Sequence, residues 1–405
     1  MNLAQLPSID QVEVAGHNVL VRADLNLPMK NGALSDVSRL KRLIPTIRDL
    51  VERRARVILM SHFGRPNGLD KRLSLAQIAA EIERELQSPV TFVPNCIGLT
   101  ARSAVERLRN GSVALLENLR FHPQEERNDP DFAQLLADHA DFYVNDAFSC
   151  SHRAHASVDA ITRKLPSFAG PLLLEEIAAL TSALERPQRP VMAIVGGSKV
   201  SSKIKVLCNL VEKVDRLAIG GGMANTFLAA QGCNVGRSFI EPEMFDTVRA
   251  IEQKAQQHGC RIILPHDVVT APALFANVQG KMFFADDVPD NEMIFDIGKV
   301  SIAALCAEIV ECRTLLWNGP LGVFEHHPFG NGTFSVARFA AEQTTCLQLI
   351  AIAGGGETVS ALNDAGVADR FTYVSMAGGA FLEWLEGKQL PGIAALTAQS
   401  VRERV

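Results

Sequence analysis

No two of the eight cysteines (Cys96, Cys150, Cys208, Cys233, Cys260, Cys306, Cys312, Cys346) form a CxxC pair or keep a short regular spacing. A zinc site or disulfide framework is disfavoured, and reduced, buried thiols in a cytoplasmic protein are expected. No apolar run reaches the ~18 residues that suggest a membrane span. The opening MNLAQLPSID has neither a basic start nor an apolar stretch, so no secretory signal is expected. Positive charge is not in surplus either. With 40 Lys+Arg against 45 Asp+Glu the net charge is −5, which argues against a general nucleic-acid binder. Three nucleotide signatures are also missing. The phosphate loop G-x-x-x-x-G-K-[ST] fails because no Gly-Lys pair is followed by Ser or Thr. The fingerprint G-x-G-x-x-G fails because GGGMAN and GGGETV both lack the third glycine. HRDLxxxN and DFG are absent. A Walker-type site, the usual dinucleotide site and a protein kinase are thereby set aside.

What is present fits a soluble globular chain of 405 residues, 47% hydrophobic and 21% charged, long enough for two domains. In the first half, apolar strands alternate with helical patterns: NVLVRA, RVILM, VTFV, SVALLE and DFYVN, with SLAQIAAEIEREL among the helices. That alternation predicts a parallel sheet covered by helices on both faces. Ligands of such sheets bind at the carboxyl ends of the strands. Those ends carry Arg22, His62 with Arg65, Arg120 and Arg153, and Arg39 joins them from a helix start. Arg22, Asp24 and Asn26 alternate, which places them on one face if the extended backbone persists. Ser35 or Asp36 is a candidate helix cap, Asn31-Gly32 marks a turn, and Pro45 should kink or shorten the helix that follows. Arginine offers a planar, permanently charged fork, so the group reads as a pocket for a small, multiply charged anion.

The helical pattern over residues 172–184 is bounded by Gly170-Pro171 and by Pro187 and Pro190, and reads as an interdomain connector. Beyond it the strand ends turn glycine-rich: AIVGGSK, LAIGGGMA, AIAGGGET and YVSMAGGA, with a fifth at LLWNGPLGVFE. Several bare strand ends suggest a large ligand against the backbone, and a nucleotide fits. At the first, a polar helix is expected to begin straight after Gly196-Gly197, with Lys199 and Lys203 four residues apart on one face. Glu357 follows three glycines at a helix start. It is either a simple helix-end charge or, beside phosphates, a ligand for Mg²⁺, which prefers oxygen.

The chain resembles the phosphoglycerate kinases over essentially its whole length. The resemblance is carried, in order and spacing, by VRADLNLP, SHFGRP, LLENLRFH, NDAF followed by HRAH, GGSKVSSKI, IGGGMANTF, WNGPLGVFE, GGGET and LEGKQLPG. It implies an α/β fold of two doubly wound parallel-sheet domains joined by a helix, with a cleft between them. Residues 1–171 would bind phosphoglycerate, 172–186 form the connecting helix, 187–387 bind nucleotide, and 388–405 return to the first domain. The implied reaction is reversible phosphoryl transfer between ATP and the carboxylate of 3-phosphoglycerate, giving ADP and 1,3-bisphosphoglycerate with Mg²⁺. It would run in line after hinge closure, in a cytoplasmic monomer with no nucleic-acid or membrane partner.

By the same resemblance, Asp24, Asn26, Arg39, His62, Arg65, Arg120 and Arg153 bind phosphoglycerate, with Arg22 in the same pocket. Lys199 and Lys203 approach the nucleotide phosphates, and Arg39, Lys199 and Lys203 are the catalytic set. Gly196, Gly197, Gly220 and Gly221 line the nucleotide, with Gly298 near adenine, Asn318 near the phosphates and Glu325 near the ribose. Gly355, Gly356, Glu357 and Thr358 receive phosphates and metal. Two departures stand out: the family usually has Asp at Glu357, and Ser-Thr-Gly-Gly-Gly where this chain has Ser375-Met376-Ala377-Gly378-Gly379. A nucleotide-dependent dehydrogenase and a homologue that binds but has lost turnover are the alternatives.

Overall fold

The computed structural model describes residues 6–30, 33–275, 278–346 and 348–402. Two compact units emerge: residues up to Ala178 with the segment from Gln389, and Ala179–Lys388. The helix Pro171–Leu184 spans that division in sequence.

The first unit is built on six parallel strands. Their order across the sheet is Val90–Val93, Val113–Leu116, Arg56–Met60, Asn18–Arg22, Phe142–Asn145 and Ser167–Ala169. The central strands are apolar almost throughout, because helices cover both faces. Val19, Leu20, Val21, Val57, Ile58 and Leu59 have no exposure at all. The helix Ser38–Glu52 buries Leu40, Leu43, Ile47 and Leu50 in the same core. Neither candidate cap occupies the cap position, which is Val37 and has no side-chain cap bond; Asp36, one residue earlier, accepts from the Ser38 N–H at 2.8 Å through Oδ1. Pro45 lies inside that helix without ending it. The expected turn at Asn31-Gly32 falls outside the described residues. The helix Pro391–Arg402 belongs to this unit, and Gly392 N–H donates to the Ser151 carbonyl at 2.9 Å.

The second unit also has six parallel strands: Arg261–Ile263, Arg216–Ile219, Val191–Val195, Thr314–Asn318, Ile350–Gly354 and Tyr373–Ser375. Numbered along the chain this order is 3-2-1-4-5-6, the arrangement of dinucleotide-binding sheets, although the glycine fingerprint is missing. Its topological switch lies between Val191–Val195 and Thr314–Asn318, whose chains leave toward opposite halves of the sheet. A separate antiparallel sheet joins Asp267–Ala271 to Lys281–Phe284 and Met293–Ile297. Among the described residues no helix is long and apolar enough to cross a membrane.

Two expectations are corrected. No strand carries the alternation past Arg22: the strand ends there, and in the loop that follows Asp24 Oδ1 accepts from the Asn26 N–H at 3.2 Å. Nor does a helix begin right after Gly196-Gly197. It starts at Ile204 with Lys203 as its cap residue, so Lys199 and Lys203 share no helix face. Ser201 explains the delay, because its N–H and hydroxyl are both held by the buried Glu241 carboxylate.

At the switch the two strand ends touch backbone to backbone. Gly196 N–H donates to the Asn318 carbonyl at 3.0 Å. A Cβ on Gly196 would lie 1.8 Å from the Pro320 carbonyl oxygen. Gly319 has φ +102°, and its Cβ would meet the Gly196 oxygen at 2.2 Å. Gly196→Ala is therefore expected to destabilise the second unit by about 1–3 kcal/mol or more through overpacking. Gly356→Ala meets no atom within 4 Å and should stay within about 0.5 kcal/mol of the parent. Chemical denaturation of both variants checks this, and equal stabilities would refute the close-approach argument.

Candidate active site

In the first unit the charged groups gather where the strands end. Arg22 is the last residue of Asn18–Arg22 and only 1% exposed. Its Nε donates to Ser157 Oγ at 2.9 Å and its Nη1 to the Ala23 carbonyl at 2.6 Å. Its Nη2 lies 3.1 Å from His62 Nδ1. Arg22 therefore faces the interior and touches its neighbours rather than open solvent.

Asp24 pairs with Arg39 at 3.2 Å and accepts from Ser149 Oγ at 2.6 Å. Arg39 Nη1 also donates to the Asn26 carbonyl at 3.0 Å. Asn26 Oδ1 accepts from the Gly64 N–H at 2.8 Å, and Arg120 Nη1 donates to the Gly64 carbonyl at 2.7 Å. Arg120 Nε also pairs with Glu126 at 3.1 Å. Arg39 thus ties Asp24 to Asn26, and Gly64, through its N–H and its carbonyl, ties Asn26 to Arg120. Arg65 and Arg153 are exposed, and Arg153 Nε donates to His152 Nε2 at 3.1 Å.

Burial pushes His62 well below the ordinary imidazole range, and the charges of Arg22, Arg120 and Arg153 push the same way. His155 falls to about 4, first from burial and then from Arg120, Arg22 and Arg153. Both histidines stay neutral inside a positive field, which is the electrostatic shape of an anion site.

In the second unit the centre is Lys203. Its Nζ donates to the Gly196 carbonyl at 2.6 Å, to Asn318 Oδ1 at 2.7 Å and to the Asn318 carbonyl at 3.2 Å. Asn318 Nδ2 in turn donates to the Gly354 carbonyl at 2.7 Å, and Gly319 N–H donates to Thr358 Oγ1 at 2.7 Å. A Cβ on Gly355 would stand 2.6 Å from Asn318 Nδ2. Three strand ends are laced together by Lys203, Asn318 and Thr358. Burial lowers Lys203 to about 8, and the charge of Glu357 opposes that shift.

Beside this knot runs a cavity reached by Gly197, Gly221, Glu325 and Glu357, with Phe239, Val268, Ile294 and Leu321 among its apolar walls. Gly196, Gly220, Gly298, Asn318, Gly355, Gly356 and Thr358 lie outside its lining and act instead as its frame. Gly298 caps the helix Lys299–Val310 with its N–H on the Asp267 carbonyl at 2.8 Å. Lys199 is exposed, with its ammonium 5.7 Å from the Phe239 ring centroid.

Sequence reasoning missed Asn225, Phe239 and Asp296 as cavity residues. Asn225 follows the glycine run of IGGGMANTF, which was its available signal. Asp296 carries no motif. It is buried, its carboxyl is pushed up to about 7 by that burial, and it accepts from the Gly332 and Ile297 N–H groups. Glu357 sits exposed in the first turn of Gly356–Asp364, and among the described residues no three His, Cys, Asp or Glu cluster as a metal cage.

The family profile described as phosphoglycerate kinase matches residues 9–388. Proteins named phosphoglycerate kinase from Xanthobacter flavus and Bartonella quintana are 53% and 52% identical to this chain. In both cases the match covers 96% of this chain and 98% of the relative. The solved phosphoglycerate kinase of Coxiella burnetii has a TM-score of 0.89 at 39% identity, covering 98% of this chain and 100% of its own. That of Pyrococcus horikoshii scores 0.82 at 29% identity with the same coverage. With two six-stranded parallel sheets, charged groups at the strand ends of one and glycines at those of the other, the chain belongs to the phosphoglycerate kinase family.

Proposed function

We propose that the first unit holds 3-phosphoglycerate, that the second holds ATP, and that a phosphoryl group passes directly between them. The chain is a phosphotransferase by family, and the reaction needs positioning and charge neutralisation rather than a covalent nucleophile. One observation carries the division of labour. Lys203 is held at the switch point by neutral acceptors alone, so its charge is left over for an anion.

In this reading Arg39, Asp24, Asn26, His62, Arg65, Arg120 and Arg153 hold the phosphoglycerate, with Arg22 behind them. Gly197, Gly221 and Thr358 face or frame the phosphates, Glu325 the ribose, and the apolar wall the base. Arg39, Lys199 and Lys203 neutralise the transferring group and the attacking carboxylate. The residues fit Mg²⁺ through Glu357 together with nucleotide oxygens, since this ion is commonly held by one or two carboxylates plus phosphates. Bound there, it would neutralise phosphate charge. Free cysteines and a net charge of −5 support a cytoplasmic protein acting on small molecules without nucleic acid, and we read it as a monomer.

The direct test is a coupled assay of ATP-dependent phosphorylation of 3-phosphoglycerate, with and without Mg²⁺. Turnover that requires Mg²⁺ is expected. Binding of both ligands without turnover would favour the impaired homologue instead.

Arg39→Ala should lower kcat by about 10²–10³-fold, the scale of one lost transition-state charge contact, with the KM for ATP within about twofold of the parent. A near-normal kcat would remove Arg39 from the catalytic set. Lys203 supplies a pH signature. In the free protein its charge is present below about 8 and lost as pH rises through that value. A phosphate beside it favours the charged form, so nucleotide binding at pH 8.5 should take up about half a proton or more. Calorimetry in two buffers of different ionisation enthalpy reads this uptake, and Lys203→Met should abolish it. Buffer-independent heats in the parent would sink the assignment.

A further inference from the structure

Beneath the anion-binding residues of the first unit lies a carboxylate with no exposure, Glu125. Ser157 hydrogen-bonds both of its oxygens, and His155 Nδ1 stands 3.8 Å from Oε1. Ser157 N–H donates to Oε2 at 2.9 Å and Ser157 Oγ donates to Oε1 at 2.6 Å. The same hydroxyl accepts from Arg22 Nε at 2.9 Å. Arg22 Nη1 is anchored on the Ala23 carbonyl, and Nη2 meets His62 Nδ1 at 3.1 Å. A continuous path therefore runs Glu125, Ser157, Arg22, His62.

The last contact fixes a proton. A guanidinium has five donors and no acceptor, so His62 Nδ1 must be the accepting nitrogen. A neutral imidazole that accepts at Nδ1 carries its hydrogen on Nε2. Cys150 Sγ, 3.8 Å from the same Nδ1, agrees with this. Burial raises that thiol, so it stays protonated and has a hydrogen to donate to the ring nitrogen. The remaining charged neighbours, Arg120 and Arg153, favour a neutral ring and do not alter the choice of nitrogen.

We propose that Glu125, acting through Ser157 and Arg22, is a positioning residue that sets His62 as an Nε2–H donor to the bound phosphoglycerate. The proposal rests on the reading of His62 as a phosphoglycerate ligand. Its physical basis is the location of the counter-charge. Arg22 is buried beside a neutral ring, and a buried charge needs a partner. Glu125 supplies it one hydroxyl away, through the Ser157 bond to Nε. With Nε held by the relay and Nη1 by the Ala23 carbonyl, the guanidinium is fixed in orientation and its Nη2 stays aimed at Nδ1. Without the carboxylate, Ser157 loses both acceptors and Arg22 loses the bond that sets its Nε.

The test uses the full-length protein labelled with ¹⁵N. Long-range proton–nitrogen spectra at neutral pH should show His62 as the Nε2–H tautomer, and adding 3-phosphoglycerate should shift its Nε2 while Nδ1 remains unprotonated. Glu125→Gln should populate the Nδ1–H tautomer and raise the KM for 3-phosphoglycerate roughly tenfold, the scale of one charge-assisted hydrogen bond, with the KM for ATP unchanged. Ser157→Ala breaks the same path while keeping the carboxylate, and should behave alike if Glu125→Gln does not fold. The parent spectrum needs neither variant: an Nδ1–H tautomer there overturns the proposal. Folded variants with unchanged tautomer and KM also overturn it, because a purely structural Glu125 would change stability alone. If 3-phosphoglycerate moves no His62 resonance, the reading of the site fails first and the relay falls with it.

Discussion

Lys203 reaches back from the start of its helix to three acceptors on two strand ends, and none of the three is charged. The rest of the second unit depends on that arrangement. The Gly196 carbonyl can meet the ammonium only because the strand ends approach closer than any Cβ allows. Asn318 can meet it because its own amide is held by the Gly354 carbonyl. The arrangement has a cost. Lowering an ammonium from 10.5 to about 8 represents on the order of 3 kcal/mol against the charged form. That contribution to stability is missing at neutral pH and returns as pH rises from about 8 toward 10.5, where the folded chain has released a proton that the unfolded chain still binds. An anion that restores the ordinary pKa recovers the same free energy on binding. The cost of burying the ammonium becomes affinity for phosphate.

The first unit keeps its cations ready by a different means. Here the arginines outnumber the carboxylates beside them, and those carboxylates are distributed among them. Asp24 takes Arg39, Glu126 takes Arg120, and Glu125 balances Arg22 through a hydroxyl. Arg65 and Arg153 stay exposed. Partial neutralisation matters because cations packed without relief would repel one another as well as attract the ligand. The histidines absorb the remaining field by staying neutral, which leaves each able to donate one hydrogen bond without adding charge.

Much of this was legible in the chain and some was not, for identifiable reasons. The strands Arg56–Met60 and Val113–Leu116 stand where their apolar runs do, because a sheet covered on both faces demands unbroken apolar sequence in its inner strands. The antiparallel strands between Asp267 and Ile297 were not read: Lys281–Phe284 is largely exposed, and Asp267–Ala271 and Met293–Ile297, though mostly buried, set a charged residue in their apolar runs. Lys199 and Lys203 were placed on one helical face by spacing alone. The structure separates them because Glu241, distant in sequence, captures Ser201 and delays the helix. Asp296 was invisible for a similar reason: its carboxyl is raised by tertiary burial, against the opposing pull of the Gly332 and Ile297 N–H groups, and burial of that kind leaves no local signal.

Glu357 poses the sharpest electrostatic conflict. It borders the same cavity as Gly197 and Gly221, where nucleotide phosphates are proposed to lie. A bare carboxylate there opposes a phosphate by about 1 kcal/mol at 4 Å in water, and by more where water is excluded. Its favourable interaction with the helix start is of similar size, so the helix alone does not justify the position. The conflict reverses sign if the phosphates arrive with a divalent cation, because the carboxylate then faces a cation. No three-residue cage exists among the described residues, so such an ion would be held mainly by the nucleotide, with Glu357 as a single protein contact. An exposed side chain suits that task. The extra methylene relative to aspartate adds reach and one rotatable bond, and solvent leaves room for it to swing. The substitution therefore weakens preorganisation more than it weakens charge, placing its effect on the fit of the metal–nucleotide complex rather than on the ability to bind it.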